Sequence, residues 1–359
     1  MTAFPTRTDV FVVGGGPAGL AAAIAARLKG FDVVVADAAR PPIDKACGEG
    51  LMPDSFAALR RLGVALDYVE SFPFRGIRFR GEGVSVAAAF PDQPGIGIRR
   101  TRLHEVLIDR ARDVGVSMLW GTRVNGVSSD TVLLDDAAVR CRWVIGADGQ
   151  NSRLRHWADL DGERHRSVRY GFRRHYRVAP WTDHMEIYWG SGHQMYLTPV
   201  SPQETCVAVI SRDSHLRFDR ALPQVPELCG RLQHASVSSS ERGSVTVTRR
   251  LRRVFRDRTV LVGDASGSVD AITGEGLSLS FRQAVALADA LSNDDLAAYQ
   301  TEHRRLERRP AFMAGLMLSL DRFAWLRPLA LRGMALQPEI FAKLLAVHVG
   351  AASPVPALS

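Results

Sequence analysis

Gly14, Gly16 and Gly19, with Pro17 and Ala18 between the last two, make the spacing G-x-G-x-x-G. That spacing suits a pyrophosphate. The first glycine permits a tight turn, the second lets backbone approach the phosphates, and the third lets a helix pack close to a strand. The diphosphate then rests on free N–H groups at the positive end of the helix dipole. Asp37 follows where an acid accepts a ribose 2′-hydroxyl in this arrangement. Two later stretches also pair glycine with aspartate. One is Gly146-Ala147-Asp148-Gly149. The other is Gly263-Asp264-Ala265-Ser266-Gly267, followed by Gly274-Glu275-Gly276.

These residues need elements to hold them. Asp9 to Val13 read as a buried strand, Leu20 to Leu28 as an alanine-rich helix, and Phe31 to Ala36 as a second strand closed by Asp37. A glycine fingerprint set strand–turn–helix–strand–acid is far more specific than the bare motif. Trp143 to Ile145 and Val260 to Val262 are further apolar strands, each running into its Gly-Asp stretch. The fingerprint alone does not choose between a nicotinamide and a flavin.

The later stretches choose. With the fingerprint, the G-A-D-G-x-x-S-x-x-R run from Gly146 to Arg155 and the G-D-A run from Gly263 to Ala265 in this order, the chain resembles a known family. It is that of the FAD-dependent oxidoreductases of the para-hydroxybenzoate hydroxylase superfamily, which also holds geranylgeranyl reductases and flavin-dependent halogenases. The resemblance implies non-covalent FAD, with Asp264 as a ligand to the pyrophosphate–ribityl region. Gly263 and Asp148 belong to the same set. Backbone N–H groups at Gly274 and Gly276 are then placed to reach the flavin pyrimidine edge and stabilise negative charge on the reduced ring. Lys45, Cys47 and Gly48 match the K-x-C-G stretch that stands beside the isoalloxazine in the reductase branch, and Gly48 and Gly50 let backbone approach the ring. Arg100 and Leu103 fit an R-x-x-L at a helix start that touches FAD. Two of these have a plainer alternative: Cys47 as a small buried hydrophobe, and Arg100 as a surface arginine. No second dinucleotide fingerprint is present. NAD(P)H is therefore expected as a transient co-substrate in a groove, or electrons come from a partner.

The fold class that follows is α/β, or α+β overall. A Rossmann-type FAD-binding domain is interleaved with an antiparallel β-sheet substrate domain and a C-terminal helical region. The expected boundaries are 1–71, 99–157 and 256–294 for the FAD-binding domain, 72–98 and 158–255 for the substrate domain, and 295–359 for the helices. Glu186 to Trp189, Gly190-Ser191-Gly192 and Gln194 to Leu197 read as a hairpin, Pro199 to Pro202 as a turn, and Cys206 to Ile210 as a further strand. Val116 to Val127 also read as strand. Residues 295–349 look all-helical, with breaks at Pro310, Pro328 and Pro338. Their apolar run Ala311 to Leu320, with Phe323 and Trp325, is either a cap packed on the core or a membrane-docking surface.

The 359 residues, 46% of them hydrophobic, suffice for a large core. The run Ala311 to Leu320 is too short to span a bilayer, and Met1 to Thr8 lack the apolar core of a signal peptide. Cys47, Cys141, Cys206 and Cys229 form no C-x-x-C pair and read as reduced thiols of a cytoplasmic protein. The ten histidines show no ligand spacing, so no metal is expected. The net charge of +8 comes almost wholly from arginine and is spread along the chain. It lacks the aromatic-interleaved stripe that nucleic acid needs, and suits anionic substrates or weak attraction to a membrane surface.

Two reactions compete. In the first, NAD(P)H reduces FAD, dioxygen adds at the flavin C4a carbon, and the hydroperoxide hydroxylates an aromatic or polyketide-like molecule. That needs a dry pocket and a base or acceptor for a phenol. In the second, hydride passes to a carbon–carbon double bond and a nearby acid supplies a proton. A protein that only holds FAD stands behind both. Hydroxylases usually carry histidine after G-D-A-A and commonly show G-x-G-x-N; this chain has Gly263-Asp264-Ala265-Ser266-Gly267 and Gly274-Glu275-Gly276-Leu277-Ser278. Both departures resemble the reductase and halogenase branches. Against a halogenase, there is no W-x-W-x-I-P, and no lysine lies between Lys45 and Lys343. Against a dedicated prenyl reductase, there is no aromatic-x-W-x-F-P; the nearest stretch is Met195 to Pro199. Most members of this length are monooxygenases, so by analogy hydroxylation is the expected reaction. The segment 168–212, with Tyr170, His175, Tyr188, Trp189, His193 and Tyr196, is expected to roof a flat aromatic or lipid-like substrate. His193 or Tyr196 would then share a phenol's proton. Taken singly, each of these side chains also fits as a plain member of an antiparallel sheet.

Overall fold

The computed structural model describes residues 5–351 except 68, 82, 129 and 162–166. Parts of the segments 158–255 and 295–359 therefore lie outside the described residues. The first of its sheets has eight strands. The main path runs Phe255–Arg256, Thr259–Leu261, Ala138–Gly146, Arg7–Val13, Val33–Asp37, Ser117–Trp120. All neighbours on it are parallel except the first pair. A parallel strand buried on both faces needs apolar residues at successive positions, and residues 10–13 supply them. Val10 and Val12, with Val33 and Val35, pack with the helices Pro17–Leu28, Arg100–Asp113 and Gly276–Ser292. Phe11 and Val13, with Val34 and Ala36, pack with the hairpin Val124–Ser128 and Thr131–Leu134. The expected strand 116–127 is thus split, and Gly121 makes the turn at φ +71°. Arg7–Val13, Val33–Asp37, Ala138–Gly146 and Thr259–Leu261 all end at one edge of the sheet. That is where open parallel sheets leave a crevice.

The second sheet, also eight-stranded, has the order Ser236–Val237, Val168–Arg177, Glu204–Ser211, His193–Ser201, His184–Trp189, Gly76–Gly81, Val84–Ala89. Arg242–Val247 also pairs with Val168–Arg177. The expected hairpin is present, from Glu186 opposite Leu197 to Trp189 opposite Gln194. Its second strand runs on to Ser201 through an irregularity at Pro199, which moves the next turn to Pro202 and Gln203. Alternation then divides the faces. Tyr188, Met195, Leu197 and Val207 pack with the short helices Phe218–Ala221 and Pro226–Leu232, which lie within the segment 158–255 expected to carry the antiparallel sheet. Ile187, Trp189 and Tyr196 pack the other way, with Met317, Leu331, Met334 and Phe341 of the C-terminal helices. A third, small sheet joins Gly50–Leu51, Gly95–Ile98 and Ser71–Phe74.

The helix Leu296–Arg322 continues through Pro310, contrary to the expected break. Proline removes one backbone bond, but Leu306, Met313, Ala314 and Met317 are buried on either side of it and hold the helix in line. Pro328 lies in the first turn of Leu326–Leu336 and Pro338 opens Pro338–Val349, positions where a missing N–H costs little.

Candidate cofactor and substrate cleft

A cavity of about 880 Å³ opens at the shared strand edge. Gly14, Gly16, Pro17, Ala18, Asp37, Lys45, Cys47, Gly48, Arg100, Asp148, Gly263, Asp264, Gly274 and Gly276 line it. Segments far apart in sequence thus meet in one cleft. Gly19 and Gly50 do not line it. A Cβ on Gly19 would fall 1.8 Å from the Gly14 carbonyl oxygen, so its bareness serves the close packing of helix on strand. Gly50 is buried in the small sheet, facing Met185 and Phe74.

On the nucleotide side, Asp37 accepts from Gly15 N–H at 2.7 Å and Ala39 N–H at 2.8 Å, which fixes the glycine turn. His104 fixes it from below. Its Nδ1 accepts from Ile43 N–H at 3.2 Å, so its Nε2 donates to the Gly15 carbonyl at 2.7 Å. Burial lowers its pKa and keeps the ring neutral. Sequence reasoning missed His104; being next to Leu103 on an amphipathic helix is its only local signal. Asp148 accepts from Ser152 Oγ and from the N–H groups of Arg153 and Leu154, capping the short helix Arg153–Trp157 at the cleft rim. Asp264 faces the cleft and meets Lys45 Nζ at 3.2 Å. Both side chains are 40% exposed, so the pair positions more than it stabilises.

The loop bearing Cys47 and Gly48 is tied to the second sheet by a buried polar network. Glu49 is 2% exposed at φ +59°. Its Oε1 accepts from Arg100 N–H at 2.9 Å, and its Oε2 lies 2.5 Å from His175 Nε2. His175 Nδ1 sits 3.1 Å from both Arg99 Nη2 and Arg173 Nη1, and therefore accepts. The ring proton then sits on Nε2 and is donated to Glu49. Arg173 also pairs with Asp44. Cys206 approaches closely enough that Glu49, His175 and Cys206 resemble a ligand set. The Glu49–His175 hydrogen bond and the adjacent guanidinium groups already account for the charges there. Burial pushes the Cys206 thiol well up. Cys47 Sγ lies 3.4 Å from Glu49 N–H, which donates to it.

Opposite stands the turn Gly274-Glu275-Gly276, at the start of the helix Gly276–Ser292. Glu275 is 3% exposed and neither carboxyl oxygen has a hydrogen-bond partner. Arg309 and His348 come no closer than 3.7 and 3.6 Å. Burial pushes Glu275 up to about 8 and His348 down to about 4. Both are held neutral behind the turn.

The sheet side is formed by Gly171 to Arg173, Ala208 to Ile210 and Gly243 to Thr246, so strands of the segment 168–212 do reach the cleft. Its candidate catalytic residues do not. Tyr196 is 3% exposed and donates its hydroxyl to the Ile272 carbonyl at 2.7 Å. His193 is fully buried, with Nδ1 3.2 Å from the Ser191 carbonyl and its ring against Gly190. Tyr188 points to the far face and donates to Glu186 at 2.6 Å. No histidine or tyrosine is among the described residues lining the cleft.

These residues fit an extended dinucleotide with a flat ring. A Cβ built on Gly16, Gly48, Gly149, Gly274 or Gly276 meets nothing within 4 Å, so bare backbone faces open space along the cleft. Two helix N-termini, at Pro17 and Gly276, meet there with no acidic residue in either first turn. Arg100 Nε is buried at the cleft without a hydrogen-bond partner. A mixed fold with this crevice defines an FAD-dependent oxidoreductase, and the chain belongs to the FAD binding domain family, whose match covers residues 7–298. It is 31% identical to a menaquinone reductase of Mycolicibacterium smegmatis, over 92% of this chain and 90% of that one. A 6-methylpretetramide 4-monooxygenase of Streptomyces rimosus is 27% identical over 84% and 80% of the two chains. Among solved structures, the flavin-dependent brominase Bmp2 shares the fold, with a TM-score of 0.82, 21% identity, and 96% and 94% coverage. FAD is the cofactor.

Proposed function

We propose that this enzyme reduces a carbon–carbon double bond in an apolar, quinone-like or prenyl-lipid-like substrate, with NAD(P)H as the electron source. One observation carries the choice. Among the described residues lining the cleft there is no imidazole or phenol to take a phenol's proton, while Ala208, Ile210, Val269 and Leu277 give its walls apolar side chains. Whole-length likeness to a menaquinone reductase supports the same reading. FAD, when bound, supplies the hydride. The chain's own contribution would be to hold the dinucleotide with Gly14 to Ala18 and Asp264, and the ring with Gly48 and Gly274. Its apolar lining keeps water from the substrate. Cys47 and Lys45 line the cleft beside Gly48 and are the candidates to supply the proton. Hydroxylation of an aromatic or polyketide-like ring is the second reading, supported by the whole-length likeness to a monooxygenase.

The test is a single anaerobic turnover with the FAD reduced beforehand and a prenylated quinone as substrate. Reduction predicts flavin reoxidation without dioxygen and a product richer by a hydrogen molecule. A product formed only after dioxygen is admitted, and heavier by one oxygen atom, would overturn it in favour of hydroxylation.

A further inference from the structure

We propose that the three C-terminal helices form a docking surface for an anionic lipid bilayer. Fourteen large apolar side chains are exposed among the described residues, and eight of them fall between 312 and 347. Phe312, Leu316, Trp325, Leu329, Leu336 and Ile340 are among these eight. Trp325 is 68% and Leu336 83% exposed, far beyond what an isolated surface leucine explains. The pattern is two-faced. Leu331, Met334, Phe341 and Leu345 turn inward onto the second sheet, and a second apolar set turns outward.

Charge selects the occupant. On Leu326–Leu336 and Pro338–Val349 and at the end of the long helix before them, Arg322, Arg332 and Lys343 are exposed against a single exposed acid, Glu339. On the long helix, Arg304, Arg308, Phe312 and Leu316 follow one another at i+4, so a basic stretch leads into the apolar one on one exposed face. Apolar and aromatic side chains ringed by arginine and lysine are the make-up of a helix lying in the headgroup region. A second copy of the chain fits less well, because a two-fold contact would set this basic face against itself. Among the described residues no helix is long and apolar enough to cross a membrane, so the proposed contact is interfacial. The inference stands on the surface alone, independently of the reaction assigned above.

The test uses the FAD-loaded full chain and sucrose-loaded vesicles of phosphatidylcholine with or without phosphatidylglycerol, read by co-sedimentation without turnover. The chain is expected to sediment with the phosphatidylglycerol vesicles and to be released by salt. Trp325→Ser with Leu329→Ser and Leu336→Ser should weaken binding by at least about tenfold at unchanged FAD content, since all three side chains are exposed. Arg332→Gln with Lys343→Gln should remove the preference for phosphatidylglycerol. Brominated lipid should quench the wild type more than Trp325→Phe. The proposal falls if the wild type stays in the supernatant, or if the triple variant binds like wild type. It falls equally if the wild type forms a concentration-dependent dimer that the triple variant abolishes, which would assign the surface to a second copy.

Discussion

Replacing Arg169 by methionine should loosen the joint between the second sheet and the flavin-side turn. Arg169 is 1% exposed. Its Nε lies 2.9 Å from Asp270 Oδ1, and its Nη2 lies 3.0 Å from Asp321 Oδ2. Asp270 caps the turn Ala271–Thr273 that leads into Gly274, and Asp321 stands near the end of the long C-terminal helix. Methionine fills much of the space but strands both carboxylates. Removing one partner of a buried ion pair costs about 3–5 kcal/mol. The lower end applies here. Asp270 keeps Ser167 Oγ and Ile272 N–H, and Asp321 keeps Gln194 and the half-exposed Arg212. The expected loss is therefore about 3 kcal/mol, with weaker FAD binding because the perturbed turn adjoins Gly274. Adding Asp270→Asn should recover part of the stability by removing one stranded charge. Urea unfolding gives the stability and flavin fluorescence titration gives the affinity. Stability within about 0.5 kcal/mol of wild type, the scatter of ordinary surface changes, together with unchanged FAD affinity, would refute the reasoning.

Gly16→Val should abolish FAD binding while leaving the apoprotein's urea midpoint unchanged, because its φ is −70° and its side chain would enter open cleft. Gly19→Ala should instead lower the midpoint itself, through collision with the Gly14 carbonyl. Glu275, pushed from 4.5 to about 8 by burial, binds a proton in the folded state that the unfolded chain has released. Its contribution is full below about pH 4.5 and fades as pH rises to about 8. Glu275→Gln should flatten the fall of the urea midpoint across that window, and an unchanged slope would rule out a buried neutral carboxyl. Tyr196→Phe should cost about 1 kcal/mol for the lost hydrogen bond to Ile272. At saturating FAD it and His193→Ala should turn over like wild type, and a kcat loss beyond tenfold in either would bring that residue back into the chemistry.

The cofactor half was readable because its chemistry is local. A glycine turn, an apolar strand and an acid at the strand end lie within thirty-odd residues, from Arg7 to Asp37. What escaped was long-range pairing. The alternation of Arg169, Arg173 and His175 along one strand does place three basic groups on one face. Their acids, Asp270, Asp44 and Glu49, come from loops that nothing in the sequence sets opposite them. The aromatic content of 168–212 drew attention to Tyr196 and His193, but their burial depends on the loop at Ile272 and on the turn at Gly190. Pro310 misled for a similar reason, since tertiary packing outweighed a local helix breaker.

The edge of parallel strands sets an order of events during synthesis. Residues 7–37 are made well before their partners: the helix Pro17–Leu28 packs on Gly276–Ser292, and Ala138–Gly146 pairs with Thr259–Leu261. Until those late segments emerge, one flank of the alanine-rich helix has no neighbour and half the lining of the cleft is missing. The nascent chain must carry the apolar surface of Pro17–Leu28 until Gly276–Ser292 has been made. FAD loading is therefore among the last steps of maturation, and scarcity of the flavin should be felt as a shortage of finished protein before it is felt as a pool of empty enzyme.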